Sequence, residues 1–250
     1  MSDARVIAFV DLDDTLFQTR PKCPTEEPLF LAATDREGRP VSFMTGAQRR
    51  LIELLSSSAM VIPVTGRNLA AFQRVRFSFG RAAVLNHGGT ILGASGEVDE
   101  EWQEHNRAEI SAALPALEAA EQAVSSLSVP GLRVRRVGDH GRDIYVSVKH
   151  EHTDERMVRE IFLGVRGAVE ALQDLCLIGT RNNLAVLPRG VSKARAVSWL
   201  LARLRRTPES ALVLGFGDAL SDVEFLAQCD YAVIPRRAEL FDLMLGAVER

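Results

Sequence analysis

The chain reads as an α/β protein: a doubly wound, Rossmann-type parallel sheet with a smaller α+β unit inserted into it. Toward both ends, short apolar runs that suit buried strands alternate with segments of helical spacing. Three of those runs end in acids or a hydroxyl, at the strand edge where open α/β sheets gather their ligand-binding groups. The middle of the chain follows a different order, helix, two strands, helix, two strands.

The first strand, Val6 to Val10, runs straight into Asp11-Leu12-Asp13-Asp14-Thr15-Leu16. A strand buried on both faces has no structural use for acids at its end. In an extended chain, residues 11 and 13 point the same way, so both carboxylates can face one reacting centre. Residues 17–45 then read as a long irregular flap over these acids. Pro21, Pro24, Pro28 and Pro40 forbid a continuous helix there. Within it, Asp35-Arg36-Glu37-Gly38 predicts a hairpin turn between residues 31–33 and 41–43.

Residues 47–55 have the apolar spacing of a helix. Residues 61–64 predict a second strand ending in Thr65-Gly66-Arg67, and Asn68 caps a helix through Phe72 and Val75. Residues 82–85 predict a third strand ending in Asn86-His87-Gly88-Gly89.

The pattern changes near Thr90. Residues 102–127 predict a helix with a break or kink at Pro115. Strands at 132–137 and 144–148 join around Gly138 to Gly141, and Thr153 caps a helix through Leu172. Strands at 175–178 and 184–187 meet at a turn through Thr180-Arg181-Asn182-Asn183. This αββαββ run predicts a cap unit over 90–188, with the core formed by 1–89 and 189–250. The core pattern resumes with Ser192 capping a helix over 193–204. A strand at 211–214 leads into Gly215-Phe216-Gly217-Asp218-Ala219-Leu220-Ser221-Asp222, followed by a strand at 231–234 and a last helix over 238–248.

Composition bounds the function. The 250 residues are 46% hydrophobic and 25% charged, with a formal net charge of -3, which gives no electrostatic argument for nucleic acid or an anionic membrane. Cys23, Cys176 and Cys229 are odd in number and form no CxxC pair, so neither a disulfide framework nor a structural zinc site is expected. No run reaches membrane length, and the expectation is a cytoplasmic monomer or small homo-oligomer acting on a small molecule.

The doubly wound sheet predicts that Asp11, Asp13, Thr65, Asp218, Asp222 and Lys193 share one edge. Acids, one hydroxyl and one ammonium suit Mg²⁺-assisted phosphoryl transfer better than acyl transfer. A carboxylate facing a phosphate dianion is repelled by about 4 kcal/mol per charge pair at 4 Å and an effective dielectric near 20, which a hard cation and Lys193 offset. Asp11 is then the candidate nucleophile and Asp13 the candidate acid/base, with Thr65 and the neighbouring Gly66 N–H orienting phosphoryl oxygens.

The stretches Asp11-Leu12-Asp13-Asp14-Thr15, Thr65-Gly66-Arg67, Gly190-Val191-Ser192-Lys193 and Gly217-Asp218-Ala219-Leu220-Ser221-Asp222 resemble, in order, the four motifs of the haloacid dehalogenase superfamily of phosphohydrolases. The αββαββ insert resembles that family's type-II cap, and the whole looks like its phosphatases of sucrose phosphate, trehalose phosphate or mannosyl-3-phosphoglycerate. The resemblance implies an aspartyl phosphate on Asp11 and a small phosphorylated substrate, with Mg²⁺ held by Asp11, the Asp13 carbonyl and Asp218. It implies phosphate contacts from Thr65 and Lys193, and Asp222 in the metal's outer shell or bonded to Lys193.

Asp14 stands where that family usually has Gly, and strand alternation turns it away from the site. Ser221 replaces a common Asn and Ala194 a common Gly. In the cap, Arg181 and Asn182 at the hairpin tip are the candidates for reading the leaving group. Arg67 reads as a phosphate contact or a tether, and His87 as a turn residue. The competing functions are a phosphomutase or phosphotransferase on the same scaffold, a non-catalytic phosphate-binding regulatory module, and a catalytically dead homologue.

Overall fold

A computed structural model describes residues 6–79, 82–150, 155–170, 172, 174–180, 183–205 and 211–248. The chain divides into two compact units, one of Met1–Asp99 with Lys193–Arg250 and one of Glu100–Ser192.

The first unit is built on β1 (Val6–Val10), whose residues Ile7 to Val10 are buried on both faces. The flap contributes β2 (Gln18–Thr19), β3 (Phe30–Thr34) and β4 (Pro40–Met44), followed by α1 (Gly46–Ser58) and β5 (Met60–Pro63). The short α2 (Leu69–Phe72), β6 (Ala83–Leu85) and β7 (Thr90–Leu92) complete its first half.

The flap is not irregular. It is a small antiparallel sheet of order β2-β4-β3, with Asp35 closing the β3–β4 turn by accepting the Glu37 and Arg39 N–H groups. Its prolines exclude a continuous helix but neither the short 3₁₀ turn at Arg20–Lys22 nor strand: Pro40 opens β4, where the missing N–H is tolerated. Phe17, Ala32 and Met44 carry the flap into the same apolar cluster as Ala8 and Val10 of β1. The flap also sets the end of α2, which stops at Phe72 rather than reaching Val75. Beyond it the backbone turns to pair with β3, through Thr34 N–H to the Arg74 carbonyl and Arg76 N–H to the Ala32 carbonyl.

In the second unit come α3 (Glu100–Ser126), β8 (Leu132–Asp139), β9 (Arg142–His150), α4 (Glu155–Glu170), β10 (Leu175–Thr180) and β11 (Asn183–Pro188). Its sheet is antiparallel, of order β10-β11-β9-β8. Trp102, Asn106, Ile110, Ala113, Leu117, Ala120 and Val124 form one buried stripe at helical spacing along α3. Leu117, Ala120 and Val124 pack with Val146 and Val148 of β9 and Val165 of α4. Pro115 does not break α3, because it lies on the exposed side, where water can take the freed carbonyl. His140 and Gly141, both at positive φ, make the tight β8–β9 turn. Thr153 lies outside the described residues.

The chain returns to the first unit through α5 (Lys193–Leu204), β12 (Leu212–Phe216), α6 (Val223–Leu226), β13 (Tyr231–Val233) and α7 (Glu239–Val248). The core sheet is parallel, of order β13-β12-β1-β5, in the register Val6↔Leu212 to Val10↔Phe216 and Ile7↔Met60 to Val10↔Pro63. Past β5, the strand β6 attaches through the Val64↔Val84 bridge and pairs antiparallel with β7. That hairpin keeps residues 90–99 in the first unit, so the units divide at Asp99/Glu100 and Ser192/Lys193, whereas the sequence pattern changes at 89/90 and 188/189. The register aligns the carboxyl ends of β12, β1 and β5.

Candidate active site

Just past those aligned ends, the Asp11 N–H donates to the Phe216 carbonyl and the Val64 N–H to the Val10 carbonyl, so the ladder holds the first residue of the acidic loop. Leu12, Leu16 and Phe17 are fully buried and peg this loop into the core. The loop closes on itself through Leu16 N–H to the Leu12 carbonyl and Asp14 N–H to the Phe17 carbonyl. The amide of Gln48, on the capped first turn of α1, donates to the Thr15 carbonyl and ties the loop down from outside.

Asp11, Asp218 and Asp222 are all buried and offer carboxylate oxygens within 4.8 Å of one another. The Lys193 ammonium, at the first position of α5, donates to Asp11 Oδ1 at 2.6 Å and Asp222 Oδ1 at 2.7 Å. The Thr15 hydroxyl shares its proton between Asp11 Oδ2 at 3.2 Å and Asp218 Oδ1 at 3.1 Å. Asp222 Oδ2 accepts the Asp218 and Ala219 N–H groups, which closes the loop after β12. Gly217 permits that closure, since a Cβ there would lie 2.7 Å from the Asp222 Cβ.

Electrostatics follows from this crowding. Burial raises the Asp11 pKa well above the carboxylate range, and Asp222 and Asp218 add to the rise against the pull of Lys193. Asp218 is pushed up to about 7 by burial, then by the charges of Asp222 and Asp14. Burial works against the charge on Lys193, but Asp11 and Asp222 outweigh it and hold the ammonium protonated. Fully ionised, three carboxylates and one ammonium leave a net charge of -2. The donors are all oxygen, so a hard divalent cation fits both the chemistry and the charge.

Thr65 is buried at the end of β5, its N–H on the Val84 carbonyl and its carbonyl accepting the His87 N–H. Its hydroxyl accepts the Arg67 N–H at 3.1 Å, which leaves its own proton to donate elsewhere. Gly66 has no room for a side chain: a Cβ would lie 2.4 Å from the His87 Cε1 and Nε2. Burial, with Lys193 adding to it, lowers the His87 pKa to about 3 and keeps the ring neutral.

The structure thus brings Asp11, Asp218, Asp222 and Lys193 together and sets Thr65 and Gly66 on the adjoining strand end. Asp13 stands apart from the cluster. It is half-exposed, and both its oxygens accept from Arg67 at 2.7 Å. Asp14 does not simply turn away. Its φ of 66° ends the strand alternation; its carboxylate pairs with Lys22, yet its charge still reaches Asp218. Arg181 and Asn182 lie outside the described residues. Thr15 was missed as a site residue, although its hydroxyl in Asp-x-Asp-x-Thr was the available signal. The Arg67–Asp13 pair had none, being separated by 54 positions.

No family model matches the chain, and no curated protein does. Solved structures do. The sucrose-phosphatase of Synechocystis sp., crystallised with sucrose and phosphate, matches with a TM-score of 0.58 at 15% identity, over 98% of this chain and 88% of that one. The C-terminal domain of C. albicans trehalose-6-phosphate phosphatase matches with a TM-score of 0.54 at 17% identity, over 89% and 73%. A sugar phosphatase of haloacid dehalogenase subclass IIB matches with a TM-score of 0.54 at 12% identity, over 97% and 99%. A parallel α/β core interrupted by an αββαββ unit is therefore the fold this chain shares with haloacid dehalogenase-type sugar phosphatases.

Proposed function

We propose that the protein is a Mg²⁺-dependent phosphohydrolase acting on a small phosphorylated metabolite, a sugar phosphate, through an aspartyl phosphate on Asp11. The observation that carries this reading is the buried Asp11 carboxylate at a strand end, held by the Lys193 ammonium and flanked by Asp218 and Asp222. The fold shared with proteins named as sucrose and trehalose-6-phosphate phosphatases supports the substrate class.

In the first step a carboxylate oxygen of Asp11 attacks phosphorus and the bond to the ester oxygen breaks. Asp13 gives that oxygen a proton as the alcohol leaves. In the second, Asp13 takes a proton from water as the water oxygen attacks phosphorus, which releases phosphate and restores the Asp11 carboxylate. Lys193 opposes the rise that burial imposes on the Asp11 pKa and offsets charge on the phosphoryl oxygens. Thr65 and the Gly66 N–H orient those oxygens. Asp11, Asp218 and the Asp13 carbonyl would hold Mg²⁺, with Asp222 kept in place by Lys193 and two N–H groups behind them. Bound there, Mg²⁺ supplies charge neutralisation at the transferring phosphoryl group.

The test is phosphate release from a panel of sugar phosphates, with Mg²⁺ and after chelation. Release that requires Mg²⁺ and no acceptor sugar supports the reading. Phosphate found only on an acceptor, or full turnover in chelator, overturns it.

A further inference from the structure

Arg67 follows Thr65 by two residues, and its backbone N–H is bonded to the Thr65 hydroxyl. Its guanidinium makes a fork on Asp13, Nε to Oδ2 and Nη2 to Oδ1, each at 2.7 Å. The third nitrogen, Nη1, donates to the Ala71 carbonyl at 3.2 Å. The group also lies over the Phe17 ring, 5.0 Å from its centroid, and Phe17 is fully buried and packed edge-on against Phe77 at 5.9 Å. A guanidinium fixed on these sides has one orientation, and a planar fork transfers that orientation to the carboxylate. Asp13 itself is half-exposed.

We propose that Arg67 is the positioning residue of Asp13: it sets the plane and direction of the acid/base carboxylate and ties it to the three-residue loop that orients phosphate. This rests on the phosphohydrolase reading above. As Asp13 gives its proton to the leaving oxygen it becomes the anion that the fork binds. As it takes a proton from water one limb of the fork opens, while Ala71 and Phe17 keep the guanidinium in place.

The test uses the full chain with Mg²⁺ and two substrates, a hexose 6-phosphate and 4-nitrophenyl phosphate, whose leaving group departs without a proton. First-turnover rates are read by rapid quench for Arg67→Ala and Arg67→Lys, each in the native and the Asp13→Asn background. Arg67→Ala is expected to slow hexose release by about 10²-fold, the cost of misplacing a proton-transfer group. The nitrophenolate burst should slow by less than about 3-fold, and in Asp13→Asn the substitution should cost nothing more. Arg67→Lys keeps the charge over Phe17 but cannot form the fork, so it should share the hexose defect; it is the variant to read if Arg67→Ala does not fold. Equal losses on both substrates, or the same loss in both backgrounds, overturn the proposal and make Arg67 a phosphate or folding residue. A native protein that hydrolyses neither substrate overturns the phosphohydrolase reading and this one with it.

Discussion

Replacing Lys193 by Met removes the one ammonium bonded to Asp11 and Asp222 while keeping an unbranched side chain of similar volume, so packing changes little. At 2.6 and 2.7 Å, each contact is worth about 6 kcal/mol by Coulomb's law at an effective dielectric of 20. Desolvation of the ions cancels much of that. What remains is the cost of leaving buried carboxylates without their cation, about 3–5 kcal/mol. For a chain of this size, 1 kcal/mol moves Tm by about 2–4 °C. Lys193→Met should therefore lower Tm by about 6–20 °C in a thermal melt with EDTA at pH 7.5. Adding Mg²⁺ should raise Tm more in the variant than in the native protein, because the uncompensated carboxylates then bind the cation more tightly. At a concentration of 100 Kd, binding returns about 2.7 kcal/mol. A loss under about 2 °C, or equal Mg²⁺ shifts in the two proteins, would refute the view that Lys193 balances the acidic cluster.

Asp11→Asn should abolish phosphate release from every substrate, and Asp13→Asn should accumulate a phosphorylated chain with the label on Asp11; label on Asp13, or near-native turnover by Asp11→Asn, contradicts the roles given. Since burial and like charges raise the folded-state pKa of Asp218 to about 7 from an ordinary 3.8, its protonation stabilises the fold below about pH 4 and that stability is lost as pH rises through 7. Melts in EDTA should show this decline and saturating Mg²⁺ should remove it, whereas a flat EDTA profile would mean that Asp218 is not perturbed. Asp14→Gly should relieve a left-handed residue and lose an exposed ion pair to Lys22, leaving stability within about 1 kcal/mol. It should also move the midpoint of Mg²⁺ affinity to lower pH, because one like charge on Asp218 is gone; calorimetric titration across pH checks it. Gly66→Ala should raise KM, as its methyl must displace the His87 ring and with it the loop carrying Thr65, so an unchanged KM would show that the ring yields freely.

The parallel core was legible because its signals are local. Apolar runs of strand length ended in Asp11, Thr65 and Asp218, and the crossover rule brings such ends to one edge. Lys193 was legible for the same reason, as an ammonium at a helix start within reach of that edge. What escaped depends on contacts distant in sequence. The flap became a sheet because Gln18–Thr19 found Phe43 and Ser42, and no local pattern announces that pairing. The helix after Asn68 was cut short by the same flap, through the Arg74 and Arg76 backbone. The alternation that put Asp11 and Asp13 on one face, with Asp14 opposite, assumed an extended chain, and the left-handed turn at Asp14 ends it.

Where the fold carries backbone strain is itself informative. Among the described residues of the first unit, the non-glycine residues at left-handed φ are Asp14, Asn86 and His87. Each such conformation costs on the order of 1 kcal/mol or more and persists only where the surroundings impose it. The surroundings here are specific: Lys22 on the Asp14 carboxylate, the Thr90 hydroxyl accepting from the Asn86 amide, and the His87 ring wedged behind Gly66. All three residues lie on loops that leave the carboxyl edge of the sheet. Lys193 adds an electrostatic cost of the same kind, since a cation on the first turn of a helix opposes the helix dipole by about 0.3–1 kcal/mol. The cost at Lys193 is offset by the two carboxylates that it bonds, so its place is explained by the acidic cluster rather than by the helix it begins.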